Sequence, residues 1–165
     1  TAIAVAISSG WPVIYAQRRV GLHGRLFTLY KFRTMHKNAE QRGPKWAEMH
    51  DPRITPVGSM LRFSHLDELP QLINVIKGDI SFIGPRPERP EFASALAEQI
   101  PYYEIRTLVK PGITGWAQIN FRYGASVEDA YEKLQYDLFY IKNRTAVLDF
   151  LIVLRTLKTL FSQAQ

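Results

Sequence analysis

The chain of 165 residues contains no cysteine, which excludes disulfide bonds and any metal site built on thiolates. Its four histidines are scattered and lack the close spacing that is typical of zinc sites. Low-complexity tracts and internal repeats are also absent. Because 46% of the residues are hydrophobic, the composition indicates a globular protein, and the length fits one domain with room for a core.

Positive charge is in excess, with a formal net charge of +6 and an isoelectric point near 9.7. This balance favours an anionic partner, which would be a nucleic acid, an acidic lipid or a phosphorylated substrate. Composition does not choose among the three, so the choice depends on the motifs.

The two ends of the chain are apolar, yet neither is suited to span a bilayer. The opening run TAIAVAI is far too short, and we interpret residues 1–9 as the remnant of a membrane element that begins outside this chain. Residues 146–162 are apolar but carry Asp149, Arg155 and Lys158, which predicts an amphipathic helix at a membrane interface. A terminal helix packed on the core explains that pattern equally well.

Hydrophobic periodicity predicts a helix-rich α+β fold with a small sheet, and we expect residues 1–165 to form a single domain. Two runs rich in Val, Ile, Tyr and Phe between Gly10 and Met35 predict a hairpin. The clearest helix begins at Ser126 with a capping-box pattern. The other expected elements are helices over 57–63, 67–76 and 90–100, a short buried strand over 79–84 and an irregular loop over 110–120.

Two adjacent carboxylates, Asp67 and Glu68, precede Pro70 and an apolar run. Acidic residues are favoured at helix N-termini, so a helix cap is one explanation of the pair. The basic residues of the neighbouring motifs are Lys31, Arg33, Arg53 and Arg62. Carboxylates among so many cations favour the alternative, a site that handles phosphate.

A rigid turn and a loop with glycines add further candidates. Arg86 lies between two prolines that restrict the backbone, and a pre-set guanidinium is suited to bidentate phosphate binding. In the loop KPGITGWAQINFR, the glycines would let the backbone approach a ligand closely. The polar residues of this loop are Lys110, Gln118, Asn120 and Arg122. Each feature has a structural explanation by itself, but together they indicate a phosphate-handling site.

Asp137 is predicted on the apolar face of the helix that follows Ser126, between Leu134 and Ile141. A carboxylate directed at a core is costly unless it is paired or hydrogen-bonded, so Asp137 needs a partner. An arginine in a structural ion pair is one solution. The other is that this helix packs against a polar, charged site to which Asp137 belongs.

Four segments resemble the bacterial sugar transferase family, the monotopic phosphoglycosyl transferases: KFRTM, DPRITPVGSMLR, LDELPQLINVIKGDISFIGPRP and KPGITGWAQIN. The resemblance runs from about Pro12 to Phe161, and its last part is similar to the exopolysaccharide branch. It implies transfer of a hexose 1-phosphate from a UDP-sugar to undecaprenyl phosphate, at the cytoplasmic face of the bacterial inner membrane. The family begins with a re-entrant membrane helix, which is expected here to be missing or truncated.

The resemblance also implies roles for individual residues. Asp67 matches a nucleophile that attacks the sugar-bearing phosphate, expels UMP and carries the phosphosugar until the lipid phosphate takes it over. Glu68 matches a ligand of Mg²⁺, and Arg86 is the first candidate for phosphate binding. The further candidates for binding the nucleotide sugar are Lys31, Arg33, Arg62, Arg122, Gln118 and Asp137. The net positive charge suits the donor and an anionic membrane surface alike.

Two other functions fit part of the sequence. A basic nucleic-acid-binding module would use Trp11, Trp46 and Trp116 as stacking surfaces. It leaves the acidic pair unexplained and no nucleic-acid-binding motif is present, so we expect no nucleic acid partner. A catalytically inactive homologue that serves as an interaction domain shares every motif with the enzyme, and only activity separates the two.

Overall fold

The computed structural model describes residues 1–41, 43, 45, 46, 51–121 and 126–162, with side chains as far as Thr159. Two compact units make up the chain: residues 1–17 with 28–74, and residues 18–27 with 75–165. The predicted mixture of helices and small sheets is confirmed. The monotopic membrane placement and the single catalytic domain stay predictions.

Helices dominate the described residues. The helices are α1 (Ala2–Ser9), α2 (Pro56–Phe63), α3 (Leu72–Lys77), α4 (Pro90–Gln99), α5 (Trp116–Asn120), α6 (Val127–Asn143) and α7 (Ala146–Ser162). The strands are β1 (Ile14–Val20), β2 (Leu26–Phe32), β3 (Ser81–Ile83) and β4 (Gly112–Thr114), and the 3₁₀ segments are Leu22–Gly24, Leu66–Gln71 and Tyr103–Leu108. β1 and β2 form a two-stranded sheet that confirms the predicted hairpin, and α2 and α4 confirm the helices predicted over 57–63 and 90–100.

In the first unit, α2 begins where the sequence favours a helix start. Thr55 is the N-cap residue, its Oγ1 accepts a hydrogen bond from the Gly58 amide at 3.0 Å, and Pro56 takes the first helical position. The Ser9 hydroxyl at the end of α1 lies 3.5 Å from the same Thr55 oxygen. Leu61 is buried and anchors α2 in the core of this unit.

The single helix predicted over 67–76 is wrong in its first part. Leu66–Gln71 is a 3₁₀ segment, and the α-helix begins only at Leu72. Pro70 lies inside the 3₁₀ segment, where it has no amide hydrogen to donate to a helical carbonyl. The apolar side of the stretch is exposed rather than packed in a core, and Ile76 is 87% exposed.

In the second unit, β3 and β4 pair in parallel, with Ser81 opposite Gly112 and Ile83 opposite Thr114. The irregular loop predicted over 110–120 is therefore wrong, because β4 and α5 both lie within it. A strand of three residues forms only when its distant partner is in place, so the local pattern did not indicate it.

β3 is also less buried than predicted. Ile80, directly before the strand, is buried, whereas Phe82 at the centre of the strand is 58% exposed. Successive side chains of a strand point to opposite faces, so Phe82 lies on the face opposite to Ser81 and Ile83, and it is exposed there.

α6 begins at the predicted capping box. The Ser126 hydroxyl accepts a hydrogen bond from the Asp129 amide at 3.0 Å, and the Asp129 carboxylate accepts one from the Ser126 amide at 3.1 Å. Leu134 and Asp137 are buried on the inner face of the helix, as the periodicity predicted. Tyr131, which was expected on that face, is exposed.

Apolar side chains at both ends of the chain are exposed. In α1, Val5 is buried, but Ile3 and Ile7 are exposed. In α7, Ile152 is buried, and the exposed apolar residues are Val147, Phe150, Leu151, Val153, Leu154 and Leu157. Among the described residues, no helix combines the length and the apolar character needed to cross a bilayer. The membrane remnant at residues 1–9 and the interfacial helix at 146–162 stay predictions.

Candidate active site

The acidic pair lies in the first turn of the 3₁₀ segment that follows α2. Its N-cap residue is His65, which has a left-handed backbone (φ 53°, ψ 13°) and no capping hydrogen bond from its side chain. Asp67 and Glu68 are therefore not N-cap residues, although their charges suit the positive end of the segment. Asp67 is only 7% exposed, so its carboxylate is held in a protein environment rather than in bulk solvent.

Strand β2 brings a cation to this pair. Lys31 Nζ lies 2.6 Å from Glu68 Oε1, and both side chains are mostly buried. The strand itself is fixed by the fully buried Asn74, whose Nδ2 donates to the Thr28 carbonyl at 2.7 Å and whose Oδ1 accepts from the Tyr30 amide at 3.2 Å. The Asn74 side chain thus forms two hydrogen bonds that the backbone of a neighbouring strand would otherwise form with β2. In this way it fixes the strand from which Lys31 reaches Glu68.

The other predicted cations of this unit hold its loops. Arg62 Nε donates to Thr34 Oγ1 at 2.9 Å, and Arg33 Nε donates to the Pro12 carbonyl at 2.9 Å. Arg53 forms an ion pair with Asp51, which agrees with a structural role for it. Of the predicted residues in this unit, the structure brings Lys31 onto Glu68 and joins Arg33 and Arg62 to neutral acceptors.

The acidic pair suits Mg²⁺ in only one mode of binding. In the described part of the chain, no three histidine or acidic side chains lie close enough to hold a metal ion by themselves. Mg²⁺ is often bound by one or two carboxylates, with substrate phosphates and water as its other ligands. Glu68 fits that mode, because a carboxylate has two oxygens and can contact Lys31 and a metal ion together.

In the second unit, Arg86 lies in the proline-bounded turn after β3. This turn lines a cavity of about 470 Å³, together with Glu88, Tyr103 and Arg106. The cavity is large enough for a small organic ligand. Its walls carry both signs of charge, as expected for a site that binds and orients a polar ligand.

Arg106 is the partner that Asp137 required. Its Nη2 donates to Asp137 Oδ2 at 2.8 Å and to the Arg86 carbonyl at 2.9 Å, while Nη1 donates to the Tyr103 hydroxyl at 2.7 Å. Burial raises the pKa of the Asp137 carboxyl, and Arg106 opposes that rise. The arginine ion pair proposed for Asp137 is confirmed, and it lies directly against the turn that carries Arg86.

The remaining two predicted residues, Gln118 and Arg122, follow β4 in the sequence. Gln118 lies in α5, where its Nε2 is 3.5 Å from the Ile113 carbonyl. Its buried Oε1 has no hydrogen-bond partner among the described residues. Arg122 lies outside the described residues.

A family model for bacterial sugar transferases matches residues 1–163 of the chain. The chain belongs to the bacterial sugar transferase family. The motifs that carried the resemblance are therefore family motifs, and the acidic pair and the Pro-Arg-Pro turn lie within the matched residues.

Individual relatives of this chain differ in the sugar that their names specify. A UDP-N-acetylgalactosamine-undecaprenyl-phosphate N-acetylgalactosaminephosphotransferase of Aeromonas hydrophila is 45% identical over 162 residues, covering 98% of this chain and 38% of that protein. A UDP-glucose:undecaprenyl-phosphate glucose-1-phosphate transferase of Escherichia coli is 41% identical over 157 residues, covering 94% and 34%. An undecaprenyl-phosphate galactose phosphotransferase of Salmonella typhimurium is 38% identical, covering 90% and 33%. The chain thus spans about a third of the length of these relatives.

Sequence reasoning missed two residues that lie close to Asp137, namely Arg106 and Lys133. Arg106 lies in a segment with no clear periodicity, so nothing local indicated its direction. Lys133 precedes Asp137 by four residues, which places both on one face of α6 and was a usable indication. Burial, together with the charge of Arg106, lowers the pKa of Lys133 to about 8.

Replacing Lys133 by Met is expected to raise the free energy of unfolding at pH 7 by about 1–3 kcal/mol, because it removes a charge that is costly to bury. The unfolded lysine keeps its proton up to about pH 10.5, whereas the folded one loses it near pH 8. The stability of the unchanged protein should therefore rise between pH 8 and pH 10.

Urea unfolding at pH 7 and pH 10 measures both effects. Lys142→Met changes an exposed lysine of the same helix and should leave the stability unchanged. A stability of the unchanged protein that falls from pH 8 to pH 10 would contradict the lowered pKa.

Proposed function

We propose that this chain is the catalytic part of a phosphoglycosyl transferase that moves a sugar 1-phosphate from a UDP-sugar to undecaprenyl phosphate and releases UMP. The observation that carries the proposal is the buried Asp67 beside Glu68, which Lys31 holds at 2.6 Å. This arrangement lies in a chain of the bacterial sugar transferase family. The names of the relatives agree with undecaprenyl phosphate as acceptor.

The proposed reaction has two steps. An oxygen of the Asp67 carboxylate attacks the sugar-bearing phosphorus, the bond between that phosphorus and the bridging oxygen breaks, and UMP leaves with the bond's electron pair. An oxygen of the lipid phosphate then attacks the phosphorus of the aspartyl phosphosugar. That step releases the lipid diphosphate sugar and restores the Asp67 carboxylate.

The surrounding residues would make this attack feasible. A carboxylate that approaches a diphosphate meets like charge, and Mg²⁺ bound through Glu68 would supply the charge neutralisation. Lys31 orients Glu68 for this role through their ion pair. We propose Arg86 as the first phosphate-binding residue. The other residues proposed to bind the nucleotide sugar are Arg33, Arg62, Arg122 and Gln118. Asp137 is proposed to contribute to this site through its ion pair with Arg106.

We place the reaction at the cytoplasmic face of the bacterial inner membrane. The net charge of +6 suits an anionic membrane surface, and α7 has exposed apolar side chains that suit an interface. The names of the relatives support a hexose or an N-acetylhexosamine as the transferred sugar.

UMP release tests the proposal. The chain, and a longer protein in which a re-entrant membrane helix is joined to its start, are incubated with Mg²⁺, undecaprenyl phosphate and UDP-glucose, UDP-galactose or UDP-N-acetylgalactosamine. We expect UMP from at least one donor. No UMP from the longer protein with any donor would overturn the proposal, and salt-dependent binding of mixed oligonucleotides would then favour the nucleic-acid-binding alternative.

Glu68→Gln is expected to raise the Mg²⁺ concentration for half-maximal UMP release about tenfold or more, because an amide oxygen is a weaker ligand of Mg²⁺ than a carboxylate. Titration of Mg²⁺ at a fixed donor concentration measures the shift. Glu98→Gln makes the same chemical change at an exposed position of α4 and should leave the titration unchanged. An unshifted curve for Glu68→Gln would exclude Glu68 as the ligand.

A further inference from the structure

The turn that carries Arg86 cannot be held by its own amides alone. Pro85 and Pro87 flank Arg86, and proline has no amide hydrogen to donate. The turn must therefore be fixed through its carbonyl groups, which accept hydrogen bonds from other segments of the same unit.

Four successive carbonyls of the turn have such donors, and the first of them, that of Pro85, accepts from the Gly112 amide at 2.9 Å. The Arg86 carbonyl accepts from Arg106 Nη2 at 2.9 Å, and the Pro87 carbonyl accepts from Arg19 Nη1 at 3.1 Å. The Glu88 carbonyl accepts from the Val20 amide at 2.9 Å. At Arg86, whose side chain is proposed to bind phosphate, the donor to the carbonyl is Arg106.

The position of Arg106 is itself determined on two sides. Its guanidinium donates to the Tyr103 hydroxyl at 2.7 Å and to Asp137 Oδ2 at 2.8 Å. Asp137 is 2% exposed and lies in the middle of α6, which has 17 residues and a capping box at its start. A buried arginine between a carboxylate and a hydroxyl has few alternative rotamers, so the Arg86 carbonyl is tied to the most regular helix of the unit.

We propose that Arg106 is a positioning residue for donor binding: it holds the main chain of Arg86 so that the Arg86 guanidinium meets the diphosphate of the nucleotide sugar. Asp137 acts through Arg106, by balancing the charge of the buried guanidinium and directing it at the turn. This inference rests on the proposed function, because it takes Arg86 as the group that binds phosphate. It assigns Arg106 and Asp137 no contact with the substrate.

A double-mutant cycle on UDP binding tests the inference. Arg86→Ala is expected to weaken the affinity for UDP about 10- to 100-fold, as for loss of a charged hydrogen-bonding group. Arg106→Gln should weaken it by a similar factor, because Arg86 is no longer held. The double variant should bind UDP within about twofold of Arg86→Ala, since the two residues act as one unit.

Arg18→Gln is the matched control. It makes the same chemical change as Arg106→Gln at an exposed arginine of the same unit that does not line the cavity, so it should leave the UDP affinity unchanged. If Arg106→Gln does not fold, Asp137→Asn takes its place in the cycle, because it weakens the anchor of Arg106 and keeps the size of the side chain. Effects on affinity that multiply in the double variant would overturn the inference.

Calorimetric titration with UDP needs no turnover, which separates this inference from the proposed function. UDP binding without UMP release would overturn the proposed reaction and still allow the cycle to be measured. UMP release together with independent effects of Arg86 and Arg106 would support the reaction and reject the positioning role.

Discussion

Asp67→Asn is expected to abolish the covalent phosphosugar adduct and to lower UMP release by about 10³-fold or more, as for removal of a nucleophile. The amide has nearly the size of the carboxylate, so the buried position can accept it, but its oxygen carries no full charge and is a poor nucleophile. Intact-mass spectrometry after incubation with Mg²⁺ and a UDP-sugar measures the adduct as a gain of one sugar phosphate.

The control for this experiment is a carboxylate that is changed in the same way outside the acidic pair. Glu98→Gln should form the adduct in the same amount as the unchanged protein, and thermal unfolding checks that Asp67→Asn is folded. An adduct of full intensity on folded Asp67→Asn would place the nucleophile elsewhere.

Gly112→Ala is expected to destabilise the protein by about 3 kcal/mol or more, because the added methyl group has no space. Its Cβ would lie 2.2 Å from the Gly84 nitrogen and 2.5 Å from the Thr114 oxygen, both backbone atoms that cannot move aside without breaking the pairing of β3 with β4. We had expected the glycines of this loop to let the backbone approach a ligand. At Gly112 the close neighbour is instead the backbone before the Pro-Arg-Pro turn.

Urea unfolding with Gly24→Ala as control separates this clash from the general effect of replacing a glycine. Gly24 has no atom within 4 Å of the added methyl group, but its φ of 75° is unfavourable for alanine. Gly24→Ala should therefore lower the free energy of unfolding by only about 1–2 kcal/mol. If both variants lose the same free energy of unfolding, the backbone conformation of the glycine, and not the close approach of β3 and β4, determines the effect at Gly112.

The local sequence was sufficient to predict an element correctly where the residues that form it are close both in the sequence and in space. The capping box at Ser126 and the start of α2 after Thr55 involve partners only three residues away, so the pattern predicted both correctly. The hairpin of β1 and β2 follows the same rule. The acidic pair was also found from local sequence, because adjacent carboxylates before a proline are visible without a structure.

Prediction failed where a distant segment decides the local conformation. The stretch over 110–120 was expected to be irregular, yet residues 112–114 pair with β3 about thirty residues earlier. The helix over 67–76 was expected to be uniform, yet its first turns are 3₁₀ around Pro70. Helical periodicity reports which side chains share a face, and it cannot show that this face is exposed.

By itself, the sequence determined the family, the acidic pair, the rigid Arg86 turn and the need of Asp137 for a partner. Only the tertiary structure decided that the partner is Arg106, that the same guanidinium holds the Arg86 carbonyl, and that Lys31 meets Glu68. The physical reason for this difference is that a motif, and the free energy needed to bury a charged side chain, depend on residue type and on short spacings along the chain. An ion pair between segments depends on which distant backbones the fold brings within about 3 Å.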